Sequence, residues 1–347
     1  MTDVLLYMLG SAFLLLGVVD VFLTILGQRG GGPLTNLWTR WVWRGLLAIH
    51  ERRRIHGVLA LAGPAMTVGA ILVWYALLTA GWTSLFAARA GAVVVNATGL
   101  DTTLIERLYF VGATLSGTGY GDLVPSHFPW TLMANVSTFT ATFVVTTSLS
   151  YLMPIIAAAL ERRQLARHIM TIGDTPREIV HNSWTQGNGR VMESYWMDLL
   201  GRLNTHAQKH RVYPMLYYFH ASDPEYASTR AVLCIADATF LIQQAAREPS
   251  SDKDETGSDP RPPPGFFVLA RNALEHYASL KHAGLVEGDL DGRHADGSAI
   301  GMPPPEPEDL IAIGLRPVDD EQFRDAFERY KPLRDQLVAL CAEDGWS

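Results

Sequence analysis

Three long apolar runs constrain the fold of this 347-residue chain more than any other feature. They cover residues 4–26, 58–87 and 130–160. A helix needs about 20 apolar residues to cross the hydrocarbon core of a bilayer, so each run is long enough. The first run follows an acidic N-terminus and exceeds the apolar core of a signal peptide, which favours a retained helix. The sequence therefore predicts three transmembrane helices.

Arginines beside these runs predict their orientation. Six arginines lie between residues 27 and 58, and Arg162, Arg163 and Arg167 follow the third run. Because short basic loops stay in the cytoplasm, we expect a multi-pass protein of the plasma or inner membrane with its N-terminus and residues 88–129 outside. Tryptophans interleave with the arginines over residues 36–56, which predicts an amphipathic segment in contact with membrane lipid.

The polar segment 101–129 joins two runs on the same side of the membrane and is too short to span it. A re-entrant loop solves this problem if protein or water surrounds it. Thr103 and Glu106 have the spacing of a capping box, and the helix that they begin is expected to stop near Leu115.

The string Ser116-Gly117-Thr118-Gly119-Tyr120-Gly121-Asp122 follows that helix. Rings of backbone carbonyls can replace the water around a dehydrated cation, and glycine best tolerates the backbone geometry that aims successive carbonyls at one axis. One chain supplies one such strand, whereas four strands around an axis are required to form the ring. The string therefore predicts a cyclic homotetramer.

With a short helix before it, Pro125 after it and an apolar run on each side, Thr118-Gly119-Tyr120-Gly121-Asp122 resembles the pore module of potassium channels over residues 58–160. The resemblance implies a gated, tetrameric channel that conducts K⁺ passively, with K⁺ as the permeant ion, no cofactor and no enzymatic activity. It implies a selectivity filter of Gly117, Thr118, Gly119, Tyr120 and Gly121, in which the carbonyls of the first four bind K⁺. It places filter support and the outer mouth at Tyr109, Phe110, Thr114, Ser116 and Asp122.

The chain departs from that family at Gly117, where the family has a threonine whose hydroxyl completes the innermost ion site. Either Ser116 or water replaces this hydroxyl, or the site is weaker. Two alternatives therefore stay open: a weakly selective cation channel, and a membrane-anchored helical receptor or scaffold with a vestigial pore.

The third run lacks the glycine hinge of many family members and carries Pro154, which can kink a helix. Helical spacing predicts a stripe that lines the cavity and narrows to an inner gate: Thr142, Val145, Leu149, Met153, Pro154 and Ala157. Asp20 lies inside the first run. We expect it to pair with an arginine of residues 40–54 or with Asn135, and a proton-sensing role is the alternative.

The C-terminal part has a different composition. Residues 161–347 hold 20 Lys and Arg against 29 Asp and Glu, a balance of −9, which disfavours nucleic acid as a partner. Apolar spacing predicts an all-α cytoplasmic domain with an unidentified ligand, and the whole chain is expected to be an all-α membrane protein. Its helices are expected at residues 190–210, 223–246, 266–283 and 319–343, the last interrupted by Pro332.

Residues 248–265 are charged and rich in proline, which predicts a disordered loop, and residues 288–307 predict a second flexible stretch. The resulting organisation is an N-terminal helix with a basic segment (1–57), a pore domain (58–160) and an acidic helical domain (161–347). We expect reduced, partly buried thiols at Cys234 and Cys341. His206 and His210 are expected on a solvated helix face rather than in a metal site with His220 and Asp223. The sequence contains no nucleophile elbow, HExxH, P-loop or kinase string.

Overall fold

The computed structural model describes residues 2–27, 31–53, 61–184, 189–221, 223–245, 262, 264–280 and 301–344. The chain divides into two compact units. The first, here the membrane unit, comprises Met1–Gly45 and Pro64–Ile156. The second, here the helical unit, comprises Leu46–Gly63 and Ala157–Ser347.

The elements up to the third apolar run are α1 (Thr2–Leu26), α2 (Pro33–Arg53), α3 (Ala62–Ala87), β1 (Val93–Val95), α4 (Leu104–Leu115), β2 (Leu123–Pro125) and α5 (Trp130–Met170). Helices α1, α3 and α5 are long and apolar enough to cross a membrane, which confirms the three helices of spanning length. Helix α5 continues past residue 160 to Met170, and Pro154 lies within it without ending it. The orientation of the helices stays a prediction.

A short antiparallel sheet corrects the all-α expectation. Val93 lies opposite Pro125, Val94 opposite Val124, and Val95 opposite Leu123. β-Branched side chains favour extended backbone, and the run of valines supplies them. The sheet joins the two ends of the segment that contains α4, so both ends of that segment have a fixed position.

Asp20 caps helix α2 from its buried position on α1. Its Oδ1 accepts the backbone N–H of Leu34 at 2.7 Å, and its Oδ2 accepts the Thr35 hydroxyl at 2.6 Å and the Trp74 indole N–H at 2.8 Å. The first N–H groups of a helix have no intrahelical partner, which explains why this carboxylate lies there. The Thr35 backbone N–H also donates to Oδ2, at 3.2 Å. The expectation of an arginine or Asn135 as its partner was wrong for the described residues, since its donors there are these four groups.

Close packing of α1 on α3 depends on two glycines. A Cβ added to Gly10 would lie 2.8 Å from the Gly81 carbonyl oxygen, and one added to Gly81 would lie 2.7 Å from Leu14. Small residues let membrane helices approach until their backbones touch. The two helices therefore pack through a seam that a larger side chain would open.

The helical unit continues from the end of α5 with α6 (Pro176–Trp184), α7 (Gly189–Val212), α8 (Ser228–Gln244), α9 (Pro264–Ala278), α10 (Pro307–Ile311) and α11 (Asp320–Glu343), and with 3₁₀ turns at Pro214–Tyr218 and Pro224–Tyr226. Helix α8 is central, because nearly all of its residues are buried. Helices α6, α9 and α11 pack around it. The prediction of a helical domain is confirmed for the described residues.

The structure differs from the predictions at four places. Pro332 lies inside α11 and does not interrupt it. The helix expected from residue 223 begins at Ser228, after a 3₁₀ turn. The predicted loop 248–265 lies largely outside the described residues, which omit 246–261 and 263, and its last two residues already belong to α9. Of the predicted stretch 288–307, residues up to 300 lie outside the described part, and Pro307 begins α10.

Cys234 and Cys341 are free in this unit, as predicted, but they are fully rather than partly buried. The expectation for the histidines was wrong. His206 and His210 are both buried, with ring centroids 4.6 Å apart, and His206 stacks on Tyr277. Neither ring nitrogen of His206 has a hydrogen-bond partner among the described residues. The apolar packing of α7 against α9 accounts for this burial.

Acidification from pH 7 to pH 5 is expected to lower the free energy of unfolding of the helical unit by about 2 kcal/mol through His206. Burial, with Arg162 and Lys209 nearby, lowers the pKa of His206 from 6.5 to about 3, although Asp344 opposes this. Because the folded state favours the neutral ring, the stability that His206 contributes is complete above pH 6.5 and decreases as the pH falls toward 3. Urea titrations at both pH values measure it. His206→Leu should remove this part of the pH dependence, whereas His181→Gln, at an exposed position, should leave it intact.

Candidate functional site

Helix α4 begins with the predicted capping box. The Glu106 carboxylate accepts the backbone N–H of Thr103 at 2.7 Å, and the Thr103 hydroxyl oxygen accepts the backbone N–H of Glu106 at 3.4 Å. The hydrogen bonds from Thr103 lower the pKa of Glu106. This local pairing fixes the start of a helix that is only 12 residues long.

Arg107 anchors the same end of α4 and was missed by the sequence analysis. Its buried guanidinium donates to the carbonyls of Phe86 and Ala87 at 3.2 Å and forms an ion pair with Asp101 at 2.7 Å. Burial on its own raises the pKa of Asp101. The hydrogen bonds from Gly91, Arg107 and Thr102 together lower this pKa by more, so it lies below its usual value. The last carbonyls of a helix lack intrahelical donors, and Arg107 supplies donors to the end of α3. The sequence signal that could have indicated this role is the presence of an arginine in an apolar segment.

The glycine loop, residues 116–122, follows α4 directly. Gly117, Gly119 and Gly121 have φ values of 74°, 55° and 81°, all in the left-handed region. Successive carbonyls of an extended strand point to opposite sides. A left-handed residue at every second position is a backbone pattern that can turn them toward a common side. A Cβ on any of these glycines would meet nothing within 4 Å, so the backbone conformation and not a lack of space requires glycine.

The N-terminal end of the glycine loop is held by its own hydroxyls and by α4. The Ser116 and Thr118 hydroxyls lie 2.7 Å apart, and Ser116 also donates to the Ala113 carbonyl at 3.1 Å. The N–H of Thr118 donates to that same carbonyl at 3.0 Å. Thr138 of α5 donates to the Thr114 carbonyl at 3.3 Å. A hydroxyl pair therefore lies beside Gly117, which has none.

Tyr109 and Phe110, the two expected filter supports, take different places. The Tyr109 ring stacks on Tyr120, with centroids 6.2 Å apart and planes at 7°. Phe110 is buried and packs edge-on against Phe86 of α3 at 5.3 Å. Consecutive residues on a helix point about 100° apart, so one of the pair faces the loop and the other faces α3. Within this chain Tyr109 is therefore the expected support that contacts Tyr120, and the supporting role of Phe110 stays a prediction.

Asn96 clamps the C-terminal end of the glycine loop and was also missed. Its side-chain N–H donates to the Gly121 carbonyl and its backbone N–H to the Asp122 carbonyl, both at 2.9 Å. The Asp122 side chain is exposed. The Gly121 carbonyl is therefore engaged, whereas the four carbonyls before it accept no hydrogen bond from any described residue.

The glycine loop is open on one side. All of residues 116–122 are exposed, and Tyr120 retains 69% of its accessible surface. The loop contacts its own chain through α4 and Asn96. A fixed loop with an open face can meet another copy of itself or an ion.

Helix α5 has one buried and one exposed face. The exposed face carries the predicted cavity stripe: Thr142, Val145, Leu149, Met153 and Ala157. The face packed within the chain carries Ala134, Ser137, Ala141, Val144, Ser148, Tyr151 and Ile155. Pro154 lies between the faces and is half-buried. The stripe residues therefore share a surface that this chain alone does not cover.

Comparison with known proteins gives one similar chain. The sequence is 23% identical over 338 residues to the uncharacterized membrane protein YdjJ of Bacillus subtilis (strain 168), and the match covers 95% of this chain and 91% of that protein. No family model matches the chain, and no solved structure matches it. The similarity over nearly the full length and the three helices of spanning length together identify the chain as a membrane protein.

Proposed function

We propose that this chain is the subunit of a homotetrameric, gated, potassium-selective channel of the cell membrane. The observation that carries the proposal is the glycine loop: left-handed glycines at every second position after a capped 12-residue helix, between two helices of spanning length. A cation that leaves water needs several oxygens around it at once, and left-handed residues at every second position can turn successive carbonyls toward one side.

The carbonyls of Gly117, Thr118, Gly119 and Tyr120 are the proposed ligands of K⁺. Asn96 engages the next carbonyl, that of Gly121, which sets the outer limit of the binding row. The stacking of Tyr109 on Tyr120 holds the row from behind. One row cannot surround an ion, so four copies around an axis form the filter, and the exposed face of residues 116–122 is where they meet.

The exposed stripe of α5 is the proposed wall of the inner cavity. It changes along the helix from Thr142 to the apolar side chains of Leu149 and Met153. Four copies of such apolar side chains around an axis form a constriction that closes when water leaves it. Conduction would then require this constriction to widen and refill with water.

A weakly selective cation channel is the second candidate function, because Gly117 supplies no hydroxyl at the innermost site. The Ser116–Thr118 pair supports K⁺ selectivity, since a hydroxyl pair lies 2.7 Å apart beside that position. The ratio of K⁺ to Na⁺ flux decides between the two candidates.

Flux through purified protein in liposomes tests the proposal. We expect K⁺ flux well above Na⁺ flux, and Gly119→Asp is expected to reduce it to the background of empty liposomes. Any L-residue is strained at this φ, and the carboxylate would enter the row of carbonyls. Gly99→Asp is the matched control, because Gly99 also has a left-handed φ, of 69°, and an open Cβ direction but lies outside the glycine loop.

Met153→Asp separates a closed channel from a non-conducting protein, because it places water-binding groups in the proposed constriction. Equal K⁺ and Na⁺ flux would favour the weakly selective channel. Absence of flux from both the wild type and Met153→Asp would contradict conduction and favour the receptor or scaffold.

A further inference from the structure

The helical unit contains a pocket that conduction does not use. It has a volume of about 430 Å³ and lies between α8, α9 and α11. Pockets that bind small molecules usually measure about 300–1,000 Å³ and combine an apolar wall with a few polar groups. The size of this pocket therefore fits a small molecule whose aromatic part has one or two rings.

Aromatic side chains form one wall of the pocket. Phe240 of α8 stacks on Tyr330 of α11, with ring centroids 4.8 Å apart and planes at 12°. Phe267 and Leu274 of α9 and Leu333 of α11 continue the apolar lining. Flat, stacked rings favour a planar guest, because such a guest gains contact over a whole face.

A buried polar cluster fixes Tyr330 in this wall. The Tyr330 hydroxyl donates to Asp237 Oδ1 at 2.7 Å, and Arg334 Nε donates to the same oxygen at 3.1 Å. Arg334 also donates to the Met302 carbonyl at 2.7 Å. Asp237 and Arg334 are both buried, so their charges compensate each other beneath the pocket. The ring position is thus set before any ligand arrives, which lowers the entropic penalty of binding.

The charged residues that line the pocket, here its rim, are mainly basic, whereas the region around the pocket is acidic. Two arginines, Arg271 and Arg329, line the pocket with one acid, Asp325, although the region from residue 161 onward carries an excess of acids. Arg271 pairs with Glu275 at 2.7 Å. Arg329 has neither an ion pair nor a hydrogen bond with any described residue. An unpaired guanidinium beside an apolar wall is a ready partner for a carboxylate or phosphate.

We propose that this pocket binds a planar aromatic small molecule that carries one anionic group. The ring lies against the wall of Phe240, Tyr330 and Phe267, and the anionic group meets Arg329 at the rim. The amides of Gln243 and Gln322, which also line the pocket, provide donors and acceptors for heteroatoms at the ring edge. A phosphate and a carboxylate satisfy the same guanidinium, so the class is defined by a flat ring with an anion.

Binding to the full-length protein in detergent tests this proposal without reference to conduction. The probes are two matched pairs, adenosine monophosphate with adenosine and indole-3-acetate with indole, measured by calorimetry and by saturation-transfer NMR. We expect at least one anionic probe to bind about tenfold more tightly than its neutral counterpart, since charge-assisted hydrogen bonds are about twice as strong as neutral ones. The first pair reports a phosphate-bearing class and the second a carboxylate-bearing class.

Two variants assign the binding to the pocket. Arg329→Gln is expected to lower the affinity for the anionic probe to that for the neutral one, whereas Arg324→Gln, an exposed arginine of the same helix outside the pocket lining, should leave it unchanged. Ala326→Trp fills the pocket and should abolish binding of both members of the pair, with protection of the buried cysteines as the check on folding. Failure of both anionic probes to bind at millimolar concentration, or affinities that neither Arg329→Gln nor Ala326→Trp changes, would overturn the proposal.

Discussion

Replacing Arg162 with methionine is expected to lower the free energy of unfolding of the helical unit by about 3–5 kcal/mol, the usual effect of breaking a buried ion pair. Arg162 donates to Asp344 at 2.5 Å, to Ser228 at 2.7 Å and to the Phe219 carbonyl at 3.0 Å. Methionine fills a similar volume but leaves the Asp344 carboxylate buried without its counter-charge. The Arg162 guanidinium, on the last part of α5, therefore connects the start of the helical unit with the end of α11.

The pKa of Asp344 shows how strongly the pair is coupled. Burial on its own raises this pKa, but the charge of Arg162 and the contact with His220 lower it below the usual value. A carboxyl whose pKa is lowered by folding stabilises the fold at pH values above its unfolded pKa, and that contribution is lost as the pH falls through the folded pKa. In Arg162→Met this contribution should disappear at neutral pH.

Thiol labelling in increasing urea measures the effect in the helical unit alone, because Cys234 and Cys341, the only two cysteines, are buried there. Burial raises the pKa of Cys341 to about 12 and raises that of Cys234 as well, so neither reacts readily while the core is intact. Arg163→Met is the control, since Arg163 is the exposed neighbour. Equal urea midpoints for the two variants would contradict the proposed role of Arg162.

Local signals predicted the local structure. The capping box of Thr103 and Glu106, the end of α4 at Leu115 and the left-handed glycines of the loop depend on residues within a few positions of each other. Helix propensity and capping act between residues this close in the chain, so the sequence alone is enough to predict these features. The three helices of spanning length could likewise be predicted from the length and composition of the apolar runs alone.

Long-range partners were not predictable. Asn96 meets Gly121 across 25 positions, and Arg162 meets Asp344 across 182. Each residue taken alone has a simpler interpretation: an asparagine in a loop, or an arginine that marks the cytoplasmic end of a helix. The partners become apparent only when packing brings together groups that each lack a hydrogen-bond partner, and no periodicity encodes this.

Asp20 was predictable from the sequence in one respect and not in another. Its position inside an apolar run indicated that a partner exists, because a carboxylate at that depth is rarely unpaired. The identity of the partner required the structure, since it is the start of α2 together with Trp74. We therefore interpret Asp20 as a cap that holds α2 against α1 and α3.

Asp20→Leu is accordingly expected to destabilise the membrane unit by at least about 4 kcal/mol, because it leaves several buried donors unpaired at about 1–3 kcal/mol each. These donors are the backbone N–H groups of Leu34 and Thr35, the Thr35 hydroxyl and the Trp74 indole. Amide hydrogen exchange of α2 measures the effect. An effect of this size corresponds to exchange about a thousandfold faster in the first turns of α2 if they open locally.

Asp20→Asn distinguishes the capping role from a requirement for charge. The amide keeps one oxygen to accept an N–H from α2 but adds two donors that the buried site cannot satisfy, so an intermediate loss of about 1–3 kcal/mol is expected. Asp3→Leu, at an exposed position on the same helix, should leave exchange in α2 unchanged. If Asp20→Asn behaves like the wild type, capping geometry alone holds α2. If Asp20→Leu also leaves exchange unchanged, α2 is held by its apolar contacts, such as that of Trp38 with Gly69, and the carboxylate is not its anchor.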